Sequence, residues 1–334
     1  MSRYAAANAN PQGLGDARPT AMQIIHDEAM EEKMTDKFIV ITGVSSGIGI
    51  ETVRALATTG ARLILTARDI VKAKTALGNI FDASKMELIH MDQASLKSVR
   101  AAAATVLSKT NHITILITNA AVMAVQELQL TEDNYEVQFA TNHLSHFLFF
   151  NLLKQALLSG SSANFQSRVV VVSAAAHRVA TLNDWDNYHF QSGGYSPWGA
   201  YGQSKLANVY MANEIERQYG TSGLHATSLH PGIIATNLGQ YLPEQEIDAM
   251  MQNELMLKVQ KSVEQGAATT VWAAVSKELE GKGGLYLNDC AVAGRGEDDG
   301  NPALGTTSSC TYNANEEARL WSDSFEMVSL LEDD

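Results

Sequence analysis

The sequence has little cysteine and no long apolar run. Cys290 and Cys310 are the only cysteines among 334 residues. A disulfide framework would need more, so a reducing compartment such as the cytoplasm is expected. No stretch approaches the roughly 18 apolar residues of a membrane-spanning helix. The first residues carry neither a basic region nor an apolar core, and therefore do not resemble a signal peptide.

Basic residues are few relative to acidic ones. The chain has 24 Lys and Arg against 37 Asp and Glu, a net charge of -13 at pH 7. This balance argues against nucleic acid or an anionic membrane as the main partner. A phosphate-bearing cofactor remains compatible with it, because local backbone geometry governs that kind of binding.

Short apolar runs alternate with helical patterns along most of the chain. We predict strands in KFIVITG, ARLILTA, KMELIHM, ITILITN, RVVVVSA and LHATSLH, and helices near 47–59, 94–108, 131–158, 199–219 and 262–277. Such alternation is typical of an α/β fold: a Rossmann-type, doubly wound parallel sheet with helices on both faces. No break in composition interrupts it, so a single domain over 19–334 is expected. Residues 1–18 are predicted to be a flexible leader.

Polar residues and glycines follow the predicted strands. In strand order they are Gly43, Arg68, Asp92, Asn119, Ser173 and the Pro231–Gly232 pair. Ligands of open parallel sheets bind beyond the carboxyl ends of the strands, where all these residues are expected to meet.

Three glycines occupy the first strand-to-helix corner, Thr42-Gly43-x-x-x-Gly47-x-Gly49. Glycine leaves room for close approach of a ligand to the backbone, and a helix N-terminus attracts phosphate. The corner therefore predicts a pyrophosphate-binding loop, although a glycine-rich turn alone is often only a tight turn.

The end of the second strand bears on cofactor choice. An acidic residue there would favour NAD, but the sequence reads TARD, with Arg68 after Ala67. A guanidinium suits a 2′-phosphate, so NADP(H) is favoured over NAD(H). Asp69 would take the acidic role if the register were shifted, and Arg68 could also be an ordinary surface cation.

TGVSSGIG resembles the TGxxxGxG signature of the short-chain dehydrogenase/reductase family. Further elements follow in the family's order: HMDQAS, LITNAAV, TNHLSHF, VVVSAAAH, YGQSK and HPG. GGLYLNDC and EEARLWSDSF resemble the tail of the retinol-dehydrogenase-like branch. One departure is Ala121, where the family usually has glycine, and its methyl group narrows the space beside a cofactor ribose.

The resemblance implies a set of cofactor contacts and no metal site. The contacts are Gly43, Ser45, Ser46, Gly47, Ile48, Gly49, Arg68, Asp92, Gln93, Asn119, Ala120, Tyr201, Lys205, Pro231, Gly232, Ile234 and Thr236. Asp92 would contact the adenine ring, Asn119 would brace the cofactor loop, and Thr236 would reach the nicotinamide carboxamide. Thr236 could equally be a helix N-cap, or serve both roles.

The resemblance also implies a catalytic set of Ser173, Tyr201, Lys205 and Asn142. Tyr201 and Lys205, four residues apart, share one face of a helix. A nearby ammonium and a cationic nicotinamide ring would lower the pKa of Tyr201, which would exchange a proton with the substrate oxygen. Ser173 would stabilise charge on that oxygen, and Asn142 would support a water chain from Lys205. His177 and His230 are not expected to be catalytic.

Two segments are candidates for the substrate side. The loop 176–200 carries Trp185, Tyr188, Phe190, Tyr195 and Trp198, which could line a pocket or pin a long loop. Residues 238–260, rich in methionine and leucine, fall where the family has a lid, although a dimer or membrane contact would also fit. The tail 290–334 is expected to be surface loop followed by a helix packed through Leu320 and Trp321.

The sequence thus predicts an NADP(H)-dependent enzyme that interconverts a bulky lipophilic carbonyl compound and its alcohol. Two alternatives remain open at this point: reduction of C=C or C=N bonds, and a non-catalytic cofactor-binding scaffold or regulator. The resemblance further suggests a homodimer or tetramer.

Overall fold

The computed structural model describes residues 2–299, 301 and 305–330. Its strands form one sheet in the order β3-β2-β1-β4-β5-β6-β7-β8. They are β1 (Phe38–Thr42), β2 (Arg62–Ala67), β3 (Met86–His90), β4 (Ile115–Thr118), β5 (Ser167–Val172), β6 (Leu224–His230), β7 (Leu285–Asn288) and β8 (Ala291–Val292). All neighbouring strands pair in parallel except β7 and β8. The predicted Rossmann-type fold in a single domain is therefore confirmed.

The helices flank this sheet. They are α1 (Ala5–Asn8), α2 (Ala21–Asp27), α3 (Ile48–Ala57), α4 (Ile70–Leu77), α5 (Leu96–Lys109), α6 (Val137–Phe139), α7 (Ser145–Gly160), α8 (Pro197–Tyr219), α9 (Glu244–Gln252), α10 (Glu254–Val259), α11 (Val263–Gly266), α12 (Ala268–Val275) and α13 (Ala314–Met327). A π-helical segment, Ala140–Leu144, joins α6 to α7.

The strands are apolar on both faces because both faces are covered. Val40 of β1 points into a core shared with α5, α7, α8 and α13. Its neighbours Ile39 and Ile41 point into a second core formed with α2, α3 and α12. This period-two alternation inside a continuous apolar run is typical of a central parallel strand.

The structure differs from the expectation for residues 1–18, because the described part of this leader is ordered and packed. Tyr4 is buried and its hydroxyl hydrogen-bonds the carboxylate of Asp27. Arg18 is also buried, and its guanidinium donates to backbone carbonyls near residue 260. Low local apolar content suggested disorder, but polar contacts with distant parts of the chain hold the segment.

The helix predicted over 131–158 begins later than expected. Residues 130–136 form a tight antiparallel turn, with Asn134 in the left-handed region at φ +64° and a bridge between Leu130 and Glu136. Helical structure starts at Val137, where the Glu136 carboxylate accepts from the backbone N–H groups of Gln138 and Phe139.

The C-terminal region ends in α13, which buries Leu320 and Trp321 against α7 and α8. Of the predicted tail 290–334, residues 300, 302–304 and 331–334 lie outside the described residues. Within the described ranges, no helix is long and apolar enough to cross a membrane.

Candidate active site

The glycine loop connects β1 to α3 through positions that admit no side chain. Gly43 has φ +74°, and a Cβ there would lie 2.6 Å from the Cα of Ala120. A Cβ on Gly49 would lie 2.2 Å from the carbonyl oxygen of Gly43. Gly47 caps α3 at φ +61° without a side chain, and Ser45, Ser46 and Ile48 around it are half-buried. The N-terminus of a ten-residue helix thus borders a side-chain-free turn, which fits a pyrophosphate group.

Asn119 and Thr42 hold this loop. The amide Nδ2 of Asn119 donates to the carbonyls of Thr42 and Gly43, at 2.9 and 3.0 Å. The Thr42 hydroxyl accepts from the backbone N–H groups of Asn119 and Ala120, at 2.9 and 3.0 Å. The end of β4 is therefore tied to the end of β1, and the glycine turn has a rigid base.

The ends of β2 and β3 supply the predicted adenosine side. Arg68 is exposed directly after β2, whereas the Asp69 carboxylate caps α4 by accepting from the N–H of Lys72 at 2.9 Å. Asp92 is half-buried, and its carboxylate accepts from the N–H of Ala94. Gln93 is buried, and its Nε2 has no hydrogen-bond partner among the described residues. A buried amide donor of this kind is free for a ligand.

Tyr201, Lys205 and Ser173 meet where β5 ends against α8, and all three are buried. The Nζ of Lys205 lies 5.6 Å from the centroid of the Tyr201 ring and donates to the carbonyl of Val172 at 3.1 Å. The Ser173 hydroxyl donates to the backbone carbonyl of Lys205 at 2.7 Å. The one-face arrangement of Tyr201 and Lys205 brings a cation to the phenol ring.

Burial governs the ionisation of this pair. It raises the pKa of Tyr201 well above its usual value of 10, and it lowers the pKa of Lys205 to about 7. Desolvation is the cause of the raised pKa of Tyr201 in the protein alone, whereas the expected lowering also involved a cationic nicotinamide ring. The protein groups alone therefore keep the phenol protonated at neutral pH.

Asn142 lies in the π-helical segment Ala140–Leu144 and is fully buried. Its Oδ1 accepts from the N–H of Val122 at 2.8 Å, and its Nδ2 donates to the carbonyl of Val122 and the hydroxyl of Ser204, both at 2.9 Å. The side chain thus joins the loop after β4 to α8, one residue before Lys205. Single π-helical turns inside helices are frequent at functional sites.

The turn after β6 closes the opposite side of the cleft. Gly232 has φ +115°, with Lys261 packed where its side chain would be. Thr236 caps the short helix Asn237–Tyr241 through the N–H of Leu238, and a Cβ on Gly47 would approach the Cβ of Thr236 to 3.3 Å. Ile234 packs with Ile48 against Gly266. The predicted residues of this turn, Pro231 to Thr236, therefore lie against the glycine loop.

The aromatic loop divides into structural and exposed members. Tyr188 stacks on Phe139 with ring centroids 5.3 Å apart, and Phe190 packs edge-on against Tyr195. Trp198 is instead 38% exposed and lies edge-on to Tyr201, with ring centroids 5.9 Å apart. Its indole N–H donates to Glu246 of α9 at 3.1 Å. Most of the aromatics pin the loop, and Trp198 faces the candidate site.

Sequence reasoning missed His146, which is buried between site residues. Its ring bonds the Thr42 hydroxyl and the Asn142 carbonyl, at 2.9 and 3.0 Å. The available signal was its position one helical turn after Asn142. His177 and His230 are also buried, and they bond Thr311 and the N–H of Ala175 respectively. Both are structural in these contacts.

Comparison with known proteins finds a matching family model, similar proteins and a similar solved structure. Residues 37–189 match the family model described as short chain dehydrogenase. The chain is 45% identical over 330 residues to the short-chain dehydrogenase/reductase prx1 of Penicillium roqueforti, covering 99% of this chain and 96% of that protein. It is 41% identical over 342 residues to the oxidoreductase calI of Penicillium decumbens, covering 99% and 98%. A crystal structure of an uncharacterized protein from Mycobacterium paratuberculosis superimposes with a TM-score of 0.68 at 29% identity, covering 94% and 98%.

Proposed function

This chain belongs to the short-chain dehydrogenase/reductase family, and on that premise we propose that it is an NADP(H)-dependent enzyme that interconverts a bulky lipophilic ketone or aldehyde and its alcohol. The observation that carries the proposal is the buried cluster of Tyr201, Lys205 and Ser173 beside the glycine loop. A protein that only bound a dinucleotide would have no use for this cluster.

The cofactor would be held along the carboxyl edge of the sheet. The glycine loop and the N-terminus of α3 would face the pyrophosphate, and Asp92 and Gln93 the adenosine. Asn119 supports the loop from behind through its bonds to Thr42 and Gly43. When bound, the nicotinamide supplies or accepts the hydride.

Tyr201 would act on the substrate oxygen. Because burial keeps its phenol protonated at neutral pH, Tyr201 is in the form required to give its proton to a carbonyl oxygen during reduction. The phenolate left behind gains from the Lys205 amine group over its ring when that group is protonated. In the oxidative direction the same oxygen takes the proton back from the alcohol. Ser173 would donate a second hydrogen bond to the reacting oxygen by turning its single hydroxyl proton away from the Lys205 carbonyl.

A preference for NADP(H) rests on Arg68 and Asp69. Arg68 is exposed at the end of β2, and no described carboxylate lies within ion-pair distance of it. The Asp69 carboxylate, which would favour a ribose hydroxyl, is engaged in capping α4. A free guanidinium beside a committed carboxylate favours a 2′-phosphate.

A lipophilic substrate is supported by the lid segment, residues 238–260. Large apolar side chains on it are exposed: Tyr241, Ile247, Met251, Leu255 and Leu257. Its sequence carries one basic residue, Lys258, so it offers little to an anionic substrate. Trp198, beside Tyr201 and bonded to Glu246, connects this apolar surface to the reacting group.

The test separates chemistry from cofactor binding. Tyr201→Phe removes the proton donor and keeps the ring, so turnover of 2-acetonaphthone with NADPH should fall by at least about 100-fold. NADPH affinity, measured by fluorescence titration, should stay within about twofold of the wild type. The matched control is Tyr195→Phe, because the Tyr195 hydroxyl bonds the Val125 carbonyl and Gln138 and has no hydrogen bond to the cluster among the described residues.

Unchanged turnover in Tyr201→Phe would contradict the proton-transfer role. Binding of NADPH or NADH by a wild-type protein that turns over no carbonyl compound would favour a non-catalytic scaffold, and absence of binding of both cofactors would contradict the proposed enzyme and the cofactor-binding scaffold alike. If the enzyme reduced only C=C or C=N bonds, the catalytic role of the cluster would stand and the proposed substrate class would be wrong.

A further inference from the structure

Residues 13–18, here called the strap, lie against the C-terminal end of the lid segment. Arg18 is 5% exposed, and its guanidinium donates to the carbonyls of Val259 and Gln260, both at 2.7 Å, and to that of Gly13 at 3.0 Å. Its Nε pairs with the Asp16 carboxylate at 2.8 Å. Four of the five N–H donors of the guanidinium are used in these bonds.

The contact of Arg18 with the lid supplies hydrogen-bond donors to the end of a helix. Helix α10 ends at Val259, so its last carbonyls lack partners within the helix. The buried guanidinium bonds the carbonyl of Val259 and that of Gln260, the residue that caps the helix, and it complements the negative end of the helix dipole. Gly13, at φ +99°, brings the strap backbone so close that a Cβ there would lie 3.2 Å from the carbonyl of Leu257.

The strap is itself fixed to the body of the domain by Gln265. The Gln265 amide donates to the Asp16 carbonyl, the Asp16 carboxylate and the Arg18 carbonyl, and its oxygen accepts from the N–H of Gly15 at 3.2 Å. Gln265 is buried and completes a capping box with Ser262 at the start of α11. The position of Arg18 is thus set independently of the lid.

The same end of the lid is joined to the turn after β6. Ile233 pairs with Gln260, and the N–H of Lys261 donates to the Ile233 carbonyl at 2.8 Å. The Lys261 ammonium bonds the Asp289 carboxylate at 2.6 Å and the Pro231 carbonyl at 3.3 Å. Residues 259–261 therefore lie between Arg18 on one side and the candidate cofactor turn on the other.

From these contacts we infer that Arg18 is a positioning residue for the substrate lid, and that the strap sets how tightly a bulky substrate is held. The inference rests on the proposed function, since it assumes that residues 238–260 cover the substrate. Loss of the guanidinium removes this donor from the carbonyls of Val259 and Gln260 and loosens the lid at its C-terminal end. The glycine loop and Arg68 have no contact with Arg18 among the described residues, and Lys261 holds the turn after β6 through its own bonds to Asp289 and Pro231, so cofactor binding should be unaffected.

The experiment compares Arg18→Ala, Arg18→Lys and the control Arg3→Ala in the full chain. Arg3 belongs to the same N-terminal segment and donates to the Asp27 carbonyl, away from the lid. Amide hydrogen exchange over 254–260 should quicken by about tenfold in Arg18→Ala. The KM for 2-acetonaphthone should rise by about tenfold, with kcat and NADPH affinity within about twofold of the wild type. For Arg18→Lys, which keeps one donor group, both the exchange rate and the KM should lie between those of the wild type and Arg18→Ala. For Arg3→Ala, both should match the wild type.

Exchange and KM in Arg18→Ala equal to those of Arg3→Ala would overturn the inference. A uniform rise in exchange across the domain, with weaker NADPH binding, would overturn it as well, because it would show a general structural role. Hydrogen exchange needs no turnover, so a chain inactive on ketones would count against the proposed function while leaving the contact between strap and lid testable.

Discussion

The Oγ1 of Thr42 and the Nε2 of His146 lie 2.9 Å apart at the buried base of the glycine loop. Two backbone N–H groups already donate to this Oγ1, so the single hydroxyl proton must go to His146. His146 therefore carries its own proton on Nδ1 and donates it to the Asn142 carbonyl, 3.0 Å away. Burial lowers the pKa of His146 to about 4, so the neutral ring persists across the physiological range.

This chain of bonds predicts the effect of His146→Leu. The substitution leaves the Thr42 hydroxyl proton without an acceptor and removes the His146 donor from the Asn142 carbonyl in a buried place, which should cost about 2 kcal/mol in the free energy of unfolding. NADPH affinity should also fall, because Thr42 holds the loop that Asn119 and Ala120 support. Urea denaturation and fluorescence titration measure the two effects.

The control for that prediction is His143→Leu. His143 lies in the π-helical segment that precedes α7 and bonds Ser324 of α13 instead of a residue of the glycine loop. A similar loss of stability with unchanged NADPH affinity is expected. Equal losses of NADPH affinity in both variants would show that His146 acts only through general stability.

Arg68 predicts cofactor preference. Arg68→Asp replaces the guanidinium that would meet a 2′-phosphate by a carboxylate that would repel it, so NADPH affinity should drop by at least about tenfold. NADH affinity should hold or improve, because the carboxylate can accept from ribose hydroxyls. Parallel titrations of both cofactors check this, and an equal loss for both would remove Arg68 from the 2′-phosphate site.

The strands β1 to β6 were predicted from the sequence because a strand buried on both faces is almost continuously apolar, as in RVVVVSA. The convergence of Gly43, Asn119 and Ser173 followed from the same reasoning, since parallel strands end at one edge. The short strands β7 and β8 and the helix α4 were missed, because short elements carry little periodicity.

Other features depend on contacts between distant parts of the chain and leave no local pattern. Arg18 meets Val259, 241 positions later, and no property of residues 1–18 alone signals that partner. Tyr201 is a similar case: the spacing from Lys205 predicted a shared helix face, but the raised pKa arises from burial by the assembled fold. Local periodicity records which faces are apolar and carries no information on these long-range polar contacts.

The burial of Lys205 predicts a pH-dependent decrease in the stability of the cofactor-free protein. Its pKa falls from 10.5 to about 7 on folding, because burial disfavours the ammonium. The unfolded chain therefore binds more protons between pH 7 and 10.5, and stability rises with pH across that window. The penalty is fully present below pH 7 and absent above pH 10.5.

Lys205→Met removes this penalty, and Asn208 continues to donate to the Val172 carbonyl that Lys205 leaves. In urea denaturation without cofactor, the variant should exceed the wild type at pH 6 by on the order of 2 kcal/mol. The difference should shrink steadily toward pH 9.5, while turnover is lost at every pH. A difference independent of pH would mean that Lys205 is not desolvated in the folded protein.

Trp198 predicts how the site distinguishes substrates by size. Its ring stands edge-on to Tyr201 and its indole N–H donates to Glu246 on the lid, so Trp198 contacts both the reacting group and the lid. Trp198→Ala should raise the KM for 2-acetonaphthone by about tenfold through lost apolar contact, and change the KM for acetone little. Trp198→Phe keeps a ring and loses only an exposed hydrogen bond, so its effect on the KM should be at most about threefold.

Trp185→Ala is the control, since Trp185 is exposed on the same loop without a described contact to Tyr201 or the lid. If the KM rose equally for 2-acetonaphthone and acetone in Trp198→Ala, or rose equally in Trp198→Ala and Trp185→Ala, Trp198 would not be part of the pocket wall. Substrate selection would then depend on the lid.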